Sequence, residues 1–340
     1  WLDLVAIGTV ADVVPLLGEN RLLVSKGIKS LRFSKRTGLL SLMNVAGLKK
    51  HSINTFDVSF GIAPRINAAG RLESPQIALN LLRTKSEFEA GYISQELDDI
   101  NRKRQRITQE MHALAQKEID EDRILLSIIH EDFTSGLVGL VSAKLTEFYY
   151  RPSIVGYRGE EFTRASCRSI PEFHITKALD KCEHLLIRHG GHAMAAGFTV
   201  ANENVDELLK EIEKIAREEI NLESLKPKIT VDLEYPLRSL PEGILEELDQ
   251  LEPLGAMNSE AVFLSRNVEV KHAKMVGRDE NHLKLWLKDG NMTYDGIAFN
   301  QGYWGKVGLK IIDIVYAVER NHFNGKITKQ LRIKDLKPSN

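Results

Sequence analysis

The sequence predicts a multidomain α/β protein that ends in a small β-barrel. Strands and helices alternate from residue 121 to 226, short strands follow residue 227, and a long amphipathic helix precedes both regions. At 340 residues the chain exceeds the usual size of one hydrophobic core. We therefore expect two or three domains.

The long helix is predicted between residues 86 and 120, a polar stretch without proline. Its apolar residues recur at helical spacing and form one stripe: Ile93, Leu97, Ile100, Ile107, Met111 and Leu114. A stripe this narrow can rest on neighbouring domains but cannot be buried all round. We interpret the segment as a helix that connects two domains.

Residues 1–85 mix short apolar segments with turn signals such as Asn67-Ala68-Ala69-Gly70-Arg71, and a helix is predicted over 74–82. We interpret this region as part of an α/β domain. Residues 121–226 are interpreted as a second, compact α/β domain. Its predicted strands are 124–129, 152–157, 163–168 and 196–200, and its predicted helices are 136–148, 174–188 and 205–220.

The region 227–340 is predicted to be a β-barrel of the OB type. Its predicted strands are 229–233, 261–270, 282–287, 293–299 and 311–318, with a helix near 241–251 and turn signals at 289–291 and 324–325. Residues 261–340 contain 14 Lys and Arg against 8 Asp and Glu, although the whole chain has a net charge of −1. A basic OB barrel is typical of proteins that hold single-stranded nucleic acid.

The composition excludes several classes of protein. With 43% hydrophobic and 27% charged residues, and without an apolar run of the roughly 20 residues that cross a bilayer, neither a disordered nor a membrane protein is expected. The two cysteines, Cys167 and Cys182, are too few for a disulfide framework or a Cys-based zinc site. We expect a cytoplasmic protein. The sequence lacks a basic leader and is expected to begin inside a domain.

Two segments in the first 85 residues carry candidate chemistry. In the segment 8–16, Asp12 follows an apolar, strand-like run, where a carboxylate at a strand end can bind a divalent metal, although Asp12 alone fits a turn or capping residue better. In the segment 64–72, Arg65 and Arg71 bracket Asn67 and small residues. That arrangement suits a phosphate as well as it suits a glycine turn between solvated arginines.

Two further segments lie in the second α/β domain. In the extended segment 164–169, Arg164, Ser166 and Arg168 point to one face, which can grip a phosphate or can be a polar edge strand. The segment 189–198 places Gly190 and Gly191 beside His192. These glycines are either a helix C-cap or the means by which a phosphate approaches the histidine ring.

Together and in this order, the four segments resemble those of RecJ exonucleases, a branch of the DHH phosphoesterase family. The resemblance implies that 1–85 is the C-terminal part of a DHH domain, 86–120 the connecting helix, 121–226 the DHH-associated domain and 227–340 an OB-fold domain. It also implies that Asp12 and His192 are catalytic and that Asp12 binds metal. The substrate-binding residues would be Arg65, Asn67, Arg71, Ser166, Arg168, Gly190 and Gly191.

The family holds two manganese or magnesium ions, which implies two-metal phosphodiester hydrolysis. The sequence has no Asp-His-His motif, and no Asp-x-Asp motif precedes Asp12. We therefore predict that this polypeptide alone is an inactive nuclease, whereas a full-length parent is active. The loop 254–260 also departs from the turn usual in the family.

The resemblance implies a 5′ to 3′ exonuclease specific for single-stranded DNA that acts in DNA repair and recombination. The expected partners are single-stranded DNA and a single-stranded-DNA-binding protein or a helicase, and the expected state is a monomer. Two alternatives stay open: a non-catalytic single-stranded nucleic-acid-binding scaffold of replication, and a DHH phosphodiesterase that acts on short oligonucleotides. The basic barrel argues against the phosphodiesterase.

Overall fold

The computed structural model describes residues 1–221, 225–323 and 326–339. The chain divides into two compact units. The barrel unit contains Trp1–Phe33, Ser52–Val58 and Ile229–Asn340, and the sheet unit contains Ser34–His51 and Ser59–Lys228. The four-domain division predicted above stays a prediction.

The barrel unit begins with helices α1 (Leu2–Ala11) and α2 (Gly18–Arg32). They pack closely at Gly27, where a Cβ atom would lie 2.4 Å from the Cβ of Ala6 and 2.4 Å from the carbonyl oxygen of Leu2. The prediction of a strand-like run before Asp12 was wrong. A short, uniformly apolar segment has no period that distinguishes a buried strand from a buried helix.

The remaining elements of residues 1–85 are also helical. They are α3 (Thr37–Val45), the single turn α4 (Thr55–Asp57), α5 (Ala63–Leu72) and α6 (Gln76–Arg83). The segment 67–71, predicted as a turn, lies inside α5. Ala68 and Ala69 are fully buried there, and alanine favours the helix strongly enough to tolerate one glycine.

Helix α7 (Glu87–Glu118) is the long helix that the apolar stripe predicted. It begins after Ser86, whose hydroxyl accepts a hydrogen bond from the backbone N–H of Glu89 at 3.3 Å. Four members of the stripe are buried: Ile93, Leu97, Ile100 and Met111. A second, polar stripe of α7 is buried as well, and it contains Ser94, Asp98, Asn101 and Thr108.

The centre of the sheet unit is a five-stranded sheet with the order β1-β2-β3-β5-β4. The strands are β1 (Leu126–His130), β2 (Ser153–Arg158), β3 (Phe162–Arg168), β4 (Leu186–His192) and β5 (Ala195–Ala201). The helices are α8 (Val138–Tyr149), α9 (Ile175–Lys181) and α10 (Val205–Glu219). β1 and β2 are parallel, and the other pairs are antiparallel.

The sequence did not predict β4. A helix was expected from 174 to 188, but α9 ends at Lys181 and the next strand begins at Leu186. The segment 189–192 is therefore paired strand rather than a helix C-cap, with His192 opposite Ala195. Glycines weaken a strand prediction because they have no side chain to pack, whereas here they permit the close pairing of β4 with β5.

The two faces of the sheet are covered differently. On one face, residues such as Ile154, Cys167 and Phe198 form a hydrophobic core that includes residues of α9 and α10. On the other face, α8 packs over β2 and β3, and a core of α8, β1 and the C-terminal half of α7 includes Val155. Beyond α8, the same face carries exposed or half-buried polar side chains on β3 and β4, with small residues of β5 between them, which positions the site described below.

The barrel unit contains β6 (Leu233–Glu234), α11 (Ile244–Leu248), β7 (Phe263–Val276), β8 (His282–Asp289), β9 (Met292–Ala298), β10 (Ile311–Phe323) and β11 (Lys326–Pro338). Strands β7, β8, β9, β11 and β10 pair in that order, and β10 pairs with β7, which closes a five-stranded barrel. The OB-type barrel is confirmed. β11 was not predicted, and the turn signal at 324–325 lies outside the described residues.

Across the described ranges, none of the helices combines the length and the apolar character needed to cross a membrane.

The two cysteine thiols give a test of the sheet core. Both are buried, and burial raises the pKa of Cys167 and of Cys182 to about 12. We expect neither thiol to react with an aromatic disulfide reagent in the folded protein at neutral pH, and both to react after unfolding in denaturant. Arg164→Cys, on the exposed face of β3, is the control that reacts without denaturant. Rapid reaction of the unmodified chain would contradict the described core.

Candidate nucleic-acid-binding site

The exposed face of β3, β5 and β4 carries three rows of side chains set by strand register. Arg168 pairs with Ala195, which pairs with His192. Ser166 pairs with Gly197, which pairs with Gly190, and Arg164 pairs with Thr199, which pairs with Arg188. Because directly paired residues point to the same side of a sheet, the central strand contributes only small residues between two polar strands.

The N-terminal end of α8 meets this face at Gly139. A Cβ atom on Gly139 would lie 3.3 Å from the Oγ of Ser166 and 3.4 Å from the Nη2 of Arg168. The residue before the helix, Leu137, provides no side-chain cap, and the first turn contains no acidic residue. The N–H groups of Leu140 and Val141 donate to the carbonyl oxygen of Leu137, whereas those of Val138 and Gly139 have no partner in the described residues. These two N–H groups lie beside a hydroxyl and a guanidinium group, an arrangement suited to an anion.

Arg71 approaches the same helix end from the last turn of α5. Its Nη1 donates a hydrogen bond to the carbonyl oxygen of Gly136 at 3.3 Å. Burial lowers the pKa of Arg71, and the positive charge of Arg168 lowers it further. The two guanidinium groups are therefore close enough to repel each other, and a bound anion would relieve that repulsion.

Arg104 of α7 extends this positive region. Burial lowers the pKa of Arg104, and the positive charge of Arg71 adds to the effect. Among the described residues, the buried Nε of Arg104 has no hydrogen-bond partner. A buried arginine nitrogen without a partner costs stability.

We call Arg71, Arg104, Arg164, Arg168 and Arg188 the arginine cluster. Within the part of the chain that the structure describes, no carboxylate forms an ion pair with any of them. The barrel differs, because four of its arginines are paired with acidic residues: Arg238 with Asp289, Arg266 with Glu234, Arg320 with Asp249 and Arg332 with Glu319. Four barrel arginines are thus engaged by acidic residues, whereas the five arginines of the cluster are not.

Arg65 does not belong to the cluster, although the sequence predicted it to bind substrate. Its Nε donates to Oδ1 of Asp98 at 2.8 Å, and its Nη1 donates to the carbonyl oxygen of Gly61 at 2.7 Å. The Asp98 side chain is only 1% exposed, so a phosphate would have to displace a buried ion pair. The structure gives Arg65 the role of fixing α5 against α7.

The other predicted substrate-binding residues of this unit differ in their surroundings. Asn67 is exposed on α5, four residues before Arg71. Gly190 lies on the polar face, with no heavy atom within 4 Å of the position of a Cβ. Gly191 has φ +149°, and a Cβ there would lie 2.4 Å from the carbonyl oxygen of Ala195. The tight β4–β5 connection therefore requires glycine at position 191.

His192 and Asp12, the two predicted catalytic residues, lie in different compact units. The His192 ring is exposed at the end of β4, and the His192 carbonyl oxygen accepts a hydrogen bond from the Thr176 hydroxyl at 2.7 Å. Asp12 is exposed and caps the C-terminal end of α1. Both side chains are accessible to a substrate or a metal.

A two-ion metal centre requires several carboxylate or histidine ligands close together. In residues 1–221, 225–323 and 326–339, no group of three or more His, Cys, Asp or Glu side chains could hold a metal ion. Asp12 is thus a single ligand at most. The donor set of the described chain does not fit a two-ion centre, and no catalytic step through a metal is derived from it.

The unusual loop 254–260 has a structural role inside the barrel unit. The Thr55 hydroxyl donates a hydrogen bond to the carbonyl oxygen of Leu254 at 2.7 Å. The backbone N–H of Leu16 donates to the carbonyl oxygen of Ala256 at 2.8 Å. A Cβ on Gly255 would lie 2.6 Å from Cδ1 of Leu16. The loop therefore fixes the α1–α2 connection to the barrel.

Sequence reasoning did not assign Arg104, Arg188 or the glycines Gly136 and Gly139 to the site. One signal was available for Arg104: it continues the polar stripe of α7, three residues after Asn101 and four before Thr108. Arg188 was placed in a predicted helix, so its position on the polar face depended on recognising β4. The glycines become informative only when their neighbours in space are known.

Comparisons with known proteins define the class of the chain. Residues 121–218 match the DHHA1 domain, and residues 231–335 match the RecJ OB domain. The first match covers the five-stranded sheet with the arginine-bearing face, and the second covers the closed barrel. The chain therefore combines a DHHA1 domain with an OB domain of the RecJ type.

The relatives identify the branch of that class. The single-stranded-DNA-specific exonuclease RecJ of Bacillus subtilis is 33% identical over 341 residues, which cover 98% of this chain and 43% of that protein. RecJ of Dickeya dadantii is 32% identical over 99% of this chain and 61% of its own length. The crystal structure of RecJ in complex with Mn2+ from Thermus thermophilus matches with a TM-score of 0.86 and 29% identity, over 100% of this chain and 50% of that one.

The resemblance to RecJ exonucleases predicted from the motifs is confirmed, and it extends over nearly the whole chain. The chain spans about half the length of these relatives.

The uncompensated charge of Arg104 can be tested through stability. We expect Arg104→Met to raise the free energy of unfolding by about 1 kcal/mol, because it removes a buried, repelled cation, and to weaken binding of single-stranded DNA. Arg106→Met on the exposed side of α7 is the control, with a change below about 0.5 kcal/mol. Chemical denaturation measures both. Destabilisation by Arg104→Met would show that Arg104 holds the fold together.

Gly136 gives a test of the junction between α5 and α8. A Cβ there would lie 2.2 Å from the carbonyl oxygen of Arg71, so the backbone must move. We expect Gly136→Ala to lower the free energy of unfolding by about 1–3 kcal/mol. Gly190→Ala adds a methyl group in open space and should change the free energy of unfolding much less. Equal effects of the two variants in a denaturant titration would contradict the described packing.

Proposed function

We propose that the protein that includes this chain is a divalent-metal-dependent, single-stranded-DNA-specific 5′ to 3′ exonuclease, and that this chain supplies the surface that binds the 5′ end. The single observation that carries the proposal is the arginine cluster beside the free end of α8. Unpaired guanidinium groups, a hydroxyl and helix N–H groups are the donors that hold phosphate.

The 5′-terminal phosphate is proposed to bind between Ser166, Arg168 and the first turn of α8. Gly139 leaves the space, because any larger residue would contact both Ser166 and Arg168. Arg71 adds positive charge from α5 and is positioned through its hydrogen bond to Gly136. A terminal phosphate carries more negative charge than a phosphodiester, so mutually repelling arginines favour it over an internal linkage.

His192 and Asp12 complete the proposal. His192 lies in the row of Arg168 and is proposed to contact the strand end near that arginine. Asp12 is proposed to be one ligand of a manganese or magnesium centre in the longer protein, as its motif resembles a metal-binding segment. Crystal structures of RecJ that contain Mn2+ or Mg2+ support the use of a divalent metal.

Action in DNA repair and recombination, a cytoplasmic location and a monomeric state are part of the same proposal. A single-stranded-DNA-binding protein or a helicase is the proposed protein partner. The barrel is proposed to hold the strand further from its 5′ end. Since four barrel arginines are paired with acids, we propose that the barrel contributes less to affinity than the arginine cluster.

A non-catalytic, single-stranded nucleic-acid-binding scaffold is the second candidate. The observation that favours it is the donor set, because the described residues of this chain hold no group of metal ligands. A phosphodiesterase for short oligonucleotides is less well supported, because the RecJ OB match covers 231–335 and adds a barrel for a longer strand.

Binding of the chain to a 5′ end tests the proposed phosphate site. We expect Arg168→Gln to weaken binding of 5′-phosphorylated single-stranded DNA by about tenfold or more, since a charge-assisted hydrogen bond contributes roughly 1.5–3 kcal/mol. The same substitution should weaken binding of a strand with a 5′-hydroxyl end much less. Arg158→Gln, an exposed arginine on the opposite face of the same sheet, is the matched control. Fluorescence anisotropy with a 3′ dye measures all of these affinities.

Nuclease assays separate the enzyme from the scaffold. The longer protein and this chain are compared with manganese on 5′-phosphorylated single-stranded DNA and on blunt duplex DNA. We expect only the longer protein to shorten the single strand, from its 5′ end, and Asp12→Ala to abolish that activity. If the longer protein binds the strand without cutting it, the scaffold candidate replaces the enzyme.

A further inference from the structure

We propose that Arg164, Arg188 and Thr199 form a second phosphate subsite, next to the one formed by Ser166 and Arg168. The inference rests on the proposed function, because it concerns the same strand end. Its basis is a separate row of the sheet, in which Arg164 of β3 and Arg188 of β4 flank Thr199 of β5.

Thr199 fixes the orientation of Arg188. The Nε of Arg188 donates a hydrogen bond to the Thr199 hydroxyl at 3.2 Å, and Thr199 is only 9% exposed. This contact uses the stem side of the guanidinium group and leaves its two terminal nitrogens for a ligand. An arginine already held in one orientation loses less side-chain entropy when it binds phosphate.

A cavity of about 300 Å³ lies between the two arginines and the first turn of α8. The residues that line it include Ser135, Val138, Arg164, Ser166, Arg188 and Thr199. Ser166 therefore faces both the cavity and the space beside Gly139, so the two subsites are continuous. The cavity is large enough for a phosphate group with part of its sugar.

The spacing of the rows suits two phosphates of one strand. Ser166 and Arg164 are two residues apart along β3, a distance of about 6.6–6.8 Å in a strand. Neighbouring phosphates of an extended single strand are separated by a comparable distance. Arg164 and Arg188 lie two strand spacings apart, roughly 9–10 Å at the backbone, which long arginine side chains can close onto one shared anion.

The positive charge of this row is not balanced by an acidic side chain among the described residues. Neither Arg164 nor Arg188 has an ion-pair partner there. His189, the next residue of β4, points to the opposite face and lies 2.8 Å from Asp180. His189 thus has an acidic neighbour on the core face of β4, whereas the two arginines on the polar face have none among the described residues.

The shared ligand chemistry is a second phosphate of the nucleic-acid strand, and it has two possible sources. One is the first internucleotide linkage, and the other is the β- or γ-phosphate of a polyphosphorylated 5′ end. The probes are therefore four short oligothymidylates with a 3′ dye: 5′-hydroxyl, 5′-monophosphate, 5′-triphosphate, and 5′-monophosphate with a neutral methylphosphonate at the first linkage.

Anisotropy titrations of the 340-residue chain with these probes test the subsite. We expect Arg188→Gln and Arg164→Gln each to weaken binding of the monophosphate strand by about tenfold, and Thr199→Val to weaken it less. If the first linkage is the ligand, Arg188→Gln has no effect on the methylphosphonate strand. If the terminal polyphosphate is the ligand, Arg188→Gln removes a preference for the triphosphate strand instead. The Arg158→Gln control binds all probes like the unmodified chain.

Different results would refute the first phosphate site and the second subsite. Equal affinities of the unmodified chain and of Arg168→Gln for every probe would overturn the proposed function. If Arg168→Gln weakens binding but Arg188→Gln and Arg164→Gln do not, for any probe, the second subsite is refuted and the first remains. Circular dichroism confirms that each variant is folded, and the substituted arginines are not members of the hydrophobic core.

Discussion

Electrostatic repulsion among arginines is the constraint on which the sheet unit depends. Burial lowers the pKa of Arg71 and of Arg104; the charge of Arg168 lowers that of Arg71 further, and the charge of Arg71 lowers that of Arg104. Hydrophobic packing of α7 and α8 on the sheet must offset the cost of keeping them charged. A fold that keeps such charges together without acidic partners in its described residues gives up stability, a cost that is common at functional sites.

The arginine cluster and the barrel arginines differ in whether an acidic residue engages them. In the barrel, Arg332 bonds to Glu260 and Glu319, and burial of Glu260 is more than offset by its bonds from Arg332 and Lys334, so that its pKa lies below the ordinary value. These pairs hold strands together. Composition gives the barrel the larger basic surplus, but pairing determines which charges can meet a phosphate, and composition does not record pairing.

The sequence predicted most elements of the DHHA1 and OB domains and the long helix, because their apolar patterns are regular. It failed where a pattern carries no period or packs through glycine: α1 was expected to be a strand, and β4 was expected to be helix and turn. For the site, alternation along β3 correctly placed Arg164, Ser166 and Arg168 on one face. The ion pair of Arg65 was not foreseen, because its partner Asp98 lies 33 residues away and local sequence does not reveal that contact.

The alternation of β3 has a consequence for how this strand can change in evolution. Arg164, Ser166 and Arg168 lie on the polar face of the sheet, while Ala165 and Cys167 face the core between them. Inserting or deleting one residue before Arg164 would turn every arginine inward and every core residue outward. Substitutions can accumulate at single positions of the strand, but its length is fixed by the two-residue repeat that separates solvent from core.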